Sequence, residues 1–252
     1  MAETGTEGSL GGPAATAGEP SGAASERPRT LRLAHRGDWR DAPENSLAAM
    51  EAALRVPACH GLEFDVRASS DGVPILLHDA TLRRAQGLDV SPSTLTAEEC
   101  AALGLSSLAE VLKRAGCDPY LDVELKERVP AAIDLLELER GRLDDDGRPA
   151  LRDTVVSSFD VEIIRWLAEE RPTWPRWLNA IDLHSPTIEL ALDLGCEAVS
   201  VDWRRVDEPA MGRATDAGLQ VAAWTVRSKA DYDRLAGLGV VAICAEAEAL
   251  DG

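Results

Sequence analysis

The chain has 252 residues, 45% of them hydrophobic and 4% aromatic, which suits one α/β domain with a mainly aliphatic core. Its 44 acidic and 26 basic residues give a formal net charge of −18, which disfavours nucleic acid and anionic membranes as partners. A small anionic substrate remains compatible with this charge if a metal ion or a local basic cluster reverses the field at the site.

The first 29 residues are rich in Gly, Ala, Glu, Thr, Ser and Pro and contain almost no large apolar side chain. Such a segment cannot bury enough apolar surface to offset the entropy of ordering. The sequence therefore predicts a disordered tail over residues 1–29 and one folded domain over residues 30–252.

The cellular setting is predicted from what the sequence lacks. The five cysteines are scattered without CxxC spacing, which indicates reduced thiols rather than a disulfide framework or a zinc site. No stretch has the length and apolarity of a membrane span, and the N-terminal residues lack the basic-then-apolar order of a secretory signal. We therefore expect a cytoplasmic protein without an integral membrane segment; its oligomeric state is left open.

Short β-type runs alternate with helical patterns along the rest of the chain. Nine such runs lie at 31–37, 61–68, 73–79, 120–126, 154–159, 176–181, 197–203, 219–226 and 240–245. Helical patterns separate most of them, at 45–56, 130–141, 160–170, 185–195, 208–218 and 228–239. Sustained alternation predicts a parallel sheet flanked by helices, and the length favours a TIM-type (β/α)8 barrel, in which one of the nine runs is surplus.

Some local features are also predicted. The Ser-Ser-Asp-Gly joint between the second and third runs indicates a tight turn and a hairpin-like pair. Asn45 is a candidate N-cap for the first helix. The segment 81–117 is the least regular part and is expected to cross one mouth of the barrel, and 144–149 is expected to be an exposed acidic loop.

Polar residues interrupt the apolar runs at their ends. The first run ends in His35 and Arg36, and the third ends in His78. Because alternate residues of a strand share a face, Glu63 and Asp65 point the same way on the second run, as do Asp122, Glu124 and Lys126 on the fourth. The carboxyl ends of barrel strands converge on one mouth, so the sequence predicts one site from these groups.

This combination indicates phosphodiester cleavage. Glu63, Asp65 and Glu124 form an all-oxygen set suited to a hard divalent cation such as Mg²⁺ or Ca²⁺, which would polarise a phosphoryl oxygen. Arg36 can grip a phosphate in bidentate fashion, with Lys126 as a second positive charge. The two histidines can act as general base and general acid.

Three segments carry a resemblance to a known family. AHRGDWRDAPENSLAAMEAA, GLEFDVRASSDGVPILLHDATLRR and YLDVELKE resemble successive signatures of the glycerophosphodiester phosphodiesterases, and SSLAEVL, VVSSFD and VAAWTV resemble weaker ones. The resemblance runs in order from Leu33 to Ile243. It implies a barrel, a bound divalent cation, and hydrolysis of glycerophosphodiesters to glycerol 3-phosphate and an alcohol.

The resemblance also implies roles by matching positions. His35 and His78 match the acid/base pair, and Arg36, Lys126 and Trp224 match positions that line the phosphate and substrate pocket. The metal ligands match Glu63, Asp65 and Glu124. In the family's usual mechanism the glycerol hydroxyl of the substrate attacks phosphorus, and water opens the resulting cyclic phosphate, so no side chain need act as nucleophile.

The sequence departs from the family pattern at three places. Ala85 and Gln86 stand where Thr-Thr often follows the Leu-x-Arg element, Arg227 stands where Asn commonly follows Trp-Thr-Val, and the last strand ends Ala245-Glu246 instead of Thr-Asp. None removes a proposed catalytic group, so we expect these departures to affect substrate choice more than catalysis.

Two other functions remain open at this point. A relative acting on lysophospholipids as a phospholipase D would require an exposed apolar rim, which the sequence does not supply as an amphipathic helix. A catalytically silent barrel that binds phosphodiesters would be favoured by loss of either histidine, and both are present.

Overall fold

The computed structural model of the protein describes residues 30–252, so the predicted disordered tail, residues 1–29, lies outside the described residues. The strands are β1 (Leu31–His35), β2 (Gly61–Ala68), β3 (Pro74–Leu76), β4 (Tyr120–Leu125), β5 (Gly141–Leu143), β6 (Pro149–Leu151), β7 (Thr154–Ser158), β8 (Arg176–Ala180), β9 (Ala198–Asp202), β10 (Gln220–Val226) and β11 (Ala242–Ala245). Eight of them pair in parallel in the order β1, β2, β4, β7, β8, β9, β10, β11, and β11 pairs again with β1. This closed ring confirms the predicted barrel.

The helices pack outside the barrel strands. They are α1 (Leu47–Ala53), α2 (Arg83–Gln86), α3 (Ala97–Ala102), α4 (Leu108–Ala115), α5 (Pro130–Arg140), α6 (Val161–Glu170), α7 (Ser185–Asp193), α8 (Glu208–Asp216), α9 (Lys229–Gly237) and α10 (Glu248–Asp251), with 3-10 turns at Pro92–Thr94 and Trp203–Arg205. Within the described part of the chain, no helix is both long and apolar enough to cross a bilayer.

The surplus run of the sequence is β3, which pairs antiparallel with β2 outside the parallel ring, as the predicted hairpin requires. The predicted acidic loop at 144–149 is in fact the turn of a second hairpin, formed by β5 and β6. These strands have only three residues each, too few to show an alternating pattern. The irregular segment 81–117 contains α2, α3 and α4, and the last two begin with capping boxes at Thr96 and Ser107.

The cap of α1 corrects one expectation. Ser46, not Asn45, is the N-cap, and its hydroxyl accepts a hydrogen bond from the Ala49 amide at 3.1 Å. Asn45 has a φ of 55°, and its side chain is buried away from the helix. The N-cap prediction was off by one position because serine and asparagine are equally good caps and stand next to each other.

The barrel interior changes character along the strands. At the amino-terminal end an apolar cluster fills it, made of Leu33, Val155, Trp177, Ala198, Ala222 and Ala242. Two residues further along the same strands come His35, Ser157, Asn179, Ser200, Trp224 and Cys244. Because side chains of a strand alternate, this second set also points inward, one layer higher. The interior therefore has a packed apolar base and a more polar upper layer.

Gly61 provides a test of this packing at the base. A Cβ on Gly61 would lie 2.1 Å from the Tyr120 carbonyl oxygen of the neighbouring strand, whereas a Cβ on Gly212, in α8, would meet nothing within 4 Å. We expect Gly61→Ala to lower the free energy of unfolding by about 1–3 kcal/mol through overpacking. The matched change Gly212→Ala should raise it by about 0.5–1 kcal/mol, because alanine loses less backbone entropy in a helix.

Urea unfolding followed by circular dichroism measures both variants. Equal stability of the two alanine variants would contradict the close approach of β2 and β4 at this position.

Candidate active site

A cavity of about 420 Å³ opens at the carboxyl ends of the barrel strands. Its walls include six of the eight predicted site residues, namely His35, Arg36, Glu63, His78, Glu124 and Trp224. The other two, Asp65 and Lys126, lie behind this wall, where Asp65 contacts Arg36 and Lys126 contacts Glu124. The structure thus brings all eight side chains together around one mouth of the barrel.

The carboxylates come from two neighbouring strands. In the register of β2 and β4, Glu63 lies beside Asp122 and Asp65 beside Glu124. One oxygen from each of Glu63, Asp65 and Glu124 lies within 4.8 Å of the others, and all three residues are buried. Burial and repulsion from Asp65 raise the pKa of Glu124 to about 7, and burial also raises the pKa of Glu63 well above its usual value, with Asp65 adding to the effect.

Asp65 differs from its neighbours because positive and polar groups surround it. Its two oxygens lie 3.1 Å from Arg36 Nε and 2.9 Å from Lys126 Nζ. Asn45 donates to Asp65 at 2.8 Å and accepts from the Asp65 backbone amide at 3.1 Å. Burial alone would raise the pKa of Asp65, but Lys126 and Arg36 outweigh it and lower that pKa. Asp65 is therefore the carboxylate of the cluster held most firmly in its charged form.

Arg36 is fixed by the turn that follows β1. Its φ is 58°, and its backbone amide donates to the Glu63 carbonyl at 2.8 Å. Its side chain also contacts Glu44 at 3.0 Å. Gly37 follows at a φ of 82°, where a Cβ would lie 2.6 Å from the Ala49 carbonyl carbon, so only glycine allows α1 to pack this closely.

The two histidines approach the cavity from different elements. His35 ends β1, and its Nε2 lies 3.8 Å from Glu63 Oε2. His78 follows β3, and its backbone carbonyl accepts a hydrogen bond from Arg67 Nη2 at 3.0 Å. The Nδ1 atom of His78 lies 2.7 Å from Asp79 Oδ1. Burial lowers the pKa of His78.

The carboxylate cluster fits a metal ion on two grounds. Its donors are all carboxylate oxygens, which suit hard divalent cations. The raised pKa values of Glu63 and Glu124 show that these buried carboxylates have too little positive charge nearby, since burial penalises a charge that is not compensated. Glu63, Asp65 and Glu124 could therefore hold a divalent cation.

Aromatic side chains line the outer part of the cavity. Trp39 and Phe159 are 39% and 45% exposed, and the Phe159 ring contacts the Trp224 ring edge-on at 5.4 Å between centroids. Trp224 also donates from its indole nitrogen to the Ser200 carbonyl at 3.0 Å. Trp203, which follows β9, does not line this cavity, and its ring contacts the guanidinium groups of Arg204 and Arg234.

Sequence reasoning missed several residues of the cavity. Glu44, which lines the cavity, has no role predicted from the sequence, and Asn45, which contacts Asp65 behind the cavity wall, is predicted only as an N-cap. Asp122 was placed on the correct strand face but given no role; burial raises its pKa to about 7, although a hydrogen bond from Ser157 at 2.6 Å opposes this. The sequence did contain a signal for Glu44 and Asn45. They are two adjacent polar residues just before a helix, and they follow closely after a histidine-arginine pair.

Comparison with known proteins agrees with this geometry. The model of the glycerophosphoryl diester phosphodiesterase family matches residues 35–247. Glycerophosphodiester phosphodiesterase 1 of Rattus norvegicus is 50% identical over 58 residues, which cover 23% of this chain. That match spans only 17% of the length of the rat protein.

Solved structures share the fold. A glycerophosphodiester phosphodiesterase from Thermotoga maritima superposes with a TM-score of 0.72 at 23% identity, covering 88% of this chain and 96% of that one. A phosphodiesterase from Oleispira antarctica in complex with the product sn-glycerol-3-phosphate gives a TM-score of 0.71 at 23% identity, covering 85% and 92%. Since the family model spans the barrel from the end of β1 to beyond β11, the chain belongs to the glycerophosphoryl diester phosphodiesterase family.

Proposed function

We propose that this chain hydrolyses glycerophosphodiesters to glycerol 3-phosphate and an alcohol, by acid/base catalysis from two histidines with a bound divalent cation. The observation that carries the proposal is the convergence of both histidines, Arg36 and the carboxylate cluster on one cavity, in a chain of this family. The product bound to the Oleispira antarctica phosphodiesterase, sn-glycerol-3-phosphate, supports the same substrate class.

The phosphate would bind between the positive side chains and the carboxylate cluster. Arg36 is half-buried and its Nε lies 3.1 Å from Asp65, so its guanidinium is already oriented before substrate enters. Lys126 contacts both Asp65 and Glu124, and its ammonium lies 5.7 Å from the ring centroid of Phe159, which lines the cavity. Trp224 would pack against the glycerol part of the substrate.

Glu63, Asp65 and Glu124 would hold the cation, either Mg²⁺ or Ca²⁺. When bound, such an ion polarises a phosphoryl oxygen and offsets the negative charge of the three carboxylates. Asn45 fixes the orientation of Asp65 through two hydrogen bonds, one to the side chain and one from the backbone.

The proton transfers would use His35 and His78. One histidine takes the proton of the attacking hydroxyl, and the other gives a proton to the oxygen of the departing alcohol. A burial-lowered pKa of His78 keeps a neutral imidazole available near neutral pH. No side-chain nucleophile is required, because the hydroxyl belongs to the substrate or to water.

The domain limits and location belong to the proposal as well. We assign the activity to residues 30–252, with residues 1–29 as a tail. The cytoplasmic location stays a prediction from the sequence.

A second candidate function is the cleavage of lysophospholipids at the same bond. The half-exposed rings of Trp39 and Phe159 at the mouth favour it, because they supply the apolar rim that the sequence alone did not reveal. An acyl chain would then lie along these rings while the phosphate occupies the same inner site.

Activity and its metal dependence can be tested together. We expect the protein to release glycerol 3-phosphate from glycerophosphocholine and glycerophosphoethanolamine, to stop after treatment with EDTA, and to recover with added Mg²⁺ or Ca²⁺. EDTA saturated with excess Mg²⁺ is the control. Full activity after thorough chelation would contradict the metal site, and cleavage of lysophosphatidylcholine alone would favour the second candidate.

The histidines give a second prediction. We expect His35→Ala and His78→Ala each to lower kcat by about 10²- to 10⁴-fold, the usual contribution of general acid/base groups, with unchanged circular dichroism. His184→Ala is the matched control, since His184 is exposed and its side chain makes no capping hydrogen bond to α7. Near-normal turnover of either active-site variant would exclude that histidine from the acid/base pair.

The two hydrogen bonds between Asn45 and Asp65 lead to a prediction about cation affinity. Asn45→Ala removes both hydrogen bonds to Asp65, so we expect the affinity for Mg²⁺ or Ca²⁺ to fall about 10- to 100-fold. Isothermal titration with each cation measures this directly. Cation affinity equal to that of the unaltered protein would show that Asp65 needs no such support or is not a ligand.

A further inference from the structure

The proposed roles leave unused a buried carboxylate that touches a catalytic histidine. Glu246 follows β11, is 6% exposed, and lines the same cavity as His35. Its Oε1 atom lies 2.5 Å from His35 Nδ1. We propose that Glu246 is a positioning residue that locks the His35 ring with its proton on Nδ1, and that Arg227 holds Glu246 in place. The catalytic consequence rests on the proposed function; the contact itself does not.

The barrel register brings these three residues side by side. Ala245 of β11 pairs with Ala34 of β1 on one side and with Val226 of β10 on the other. His35, Glu246 and Arg227 each come one residue later, so their side chains lie in a row across three neighbouring strand ends.

Backbone hydrogen bonds hold this row. The Glu246 amide donates to the Val226 carbonyl at 2.9 Å, and the Ala249 amide donates to the Arg227 carbonyl at 3.1 Å. Both side chains therefore start from fixed backbone positions, which reduces the entropy lost when they pair.

The contact decides which nitrogen of His35 is available. Since a carboxylate only accepts hydrogen bonds, its partner Nδ1 must carry the proton, which leaves Nε2 unprotonated in the neutral ring. Nε2 is the atom that faces the carboxylate cluster, 3.8 Å from Glu63 Oε2. The contact with Glu246 therefore turns the unprotonated Nε2 of His35 toward the reacting groups and fixes the plane of the ring.

Arg227 completes the arrangement. Its Nε donates to the second oxygen of Glu246 at 2.7 Å, so both carboxylate oxygens are engaged and the group cannot rotate freely. The Glu246 side chain is 7% exposed, whereas that of Arg227 is 65% exposed. Arg227 thus supplies from the surface the positive charge that a buried carboxylate requires.

The same arrangement occurs at the other histidine. His78 Nδ1 lies 2.7 Å from Asp79 Oδ1, and Arg84 Nε donates to Asp79 Oδ2 at 2.6 Å. Two histidine–carboxylate–arginine rows on one cavity, built from different elements, favour a role in orientation over a chance ion pair. Asp79 is more exposed, with 28% of its side chain accessible, so water can replace it more readily than it can replace Glu246.

The tautomer of His35 can be measured by ¹⁵N NMR of the full chain labelled at its histidines. The chain has four histidines, so few signals need to be assigned. The His35 signals are assigned by their loss in His35→Gln. In the unaltered protein, at a pH where the ring is neutral, we expect His35 to be protonated on Nδ1 alone. In Glu246→Ala we expect a mixture of tautomers, and in Glu246→Asp, which keeps a carboxylate with acceptor oxygens for both His35 and Arg227, the Nδ1 tautomer should return.

The NMR measurement does not depend on turnover, so it tests the effect of Glu246 on the His35 tautomer even if no glycerophosphodiester is hydrolysed. His35 protonated on Nε2 in the unaltered protein, or an identical tautomer in Glu246→Ala, would overturn the proposal. Thermal unfolding monitors each variant, and if Glu246→Ala does not fold, the tautomer of the unaltered protein alone still decides, because a neutral His35 ring protonated on Nε2 contradicts the proposal.

Steady-state kinetics tests whether the orientation of His35 by Glu246 affects turnover. We expect Glu246→Ala to lower kcat about 10- to 100-fold while KM changes less than about threefold, because ring orientation acts on the proton transfer and not on binding. Arg227→Gln should cause a smaller loss that disappears in the Glu246→Ala background, since Arg227 acts through Glu246.

The matched control is Glu248→Ala, which removes an exposed carboxylate two positions further along the chain and should leave kcat unchanged. Additive effects of the Arg227 and Glu246 changes, or an effect of Glu246→Ala confined to KM, would overturn the positioning role.

Discussion

The burial of several carboxylates in one place constrains the whole upper half of this barrel. Glu63, Asp65, Asp122 and Glu124 face each other from β2 and β4, and each is less than a tenth exposed. Like charges at such distances, removed from water, are strongly unfavourable unless positive charge or protons compensate them. Arg36 and Lys126 provide part of this compensation, and the raised pKa values of Glu63 and Glu124 show that it is incomplete.

The segment between β1 and α1 supplies residues that contact this carboxylate cluster. Arg36 is held by the turn after β1, which needs glycine at position 37 so that α1 can approach. Asn45 adopts a left-handed backbone conformation immediately before α1, and this places its amide on Asp65. The strain of that conformation is tolerable because asparagine adopts it more readily than most residues do. The segment between β1 and α1 is thus shaped by the carboxylates it faces.

The lower half of the barrel meets a different requirement. There the strands turn alanine, leucine, valine and tryptophan inward, and the Tyr120 and Trp177 rings stack with their centroids 6.2 Å apart. This apolar base closes the barrel floor and gives the polar layer above it a rigid support, as binding and catalytic groups require. Two of the departures from the family pattern, Arg227 and Glu246, are expected to affect substrate choice. Glu246 contacts His35 and Arg227 contacts Glu246, so the positioning role proposed for Glu246 would link both departures to His35 as well.

Apart from Trp224, which only the family resemblance indicated, the sequence alone predicted the side chains that meet at the mouth, together with the alternation of strands and helices and the surplus hairpin strand. These follow from period-two alternation and from polar residues at strand ends, both of which are local properties. It did not determine the contacts of Glu246 with His35 or of Asn45 with Asp65. The first joins residues 211 positions apart across the closing strands of the barrel, and the second depends on a backbone turn that capping preferences did not predict. The register of β1 against β11 brings Glu246 to His35, and the turn before α1 brings Asn45 to Asp65. Both contacts depend on the tertiary structure, because neither contact joins residues of one segment.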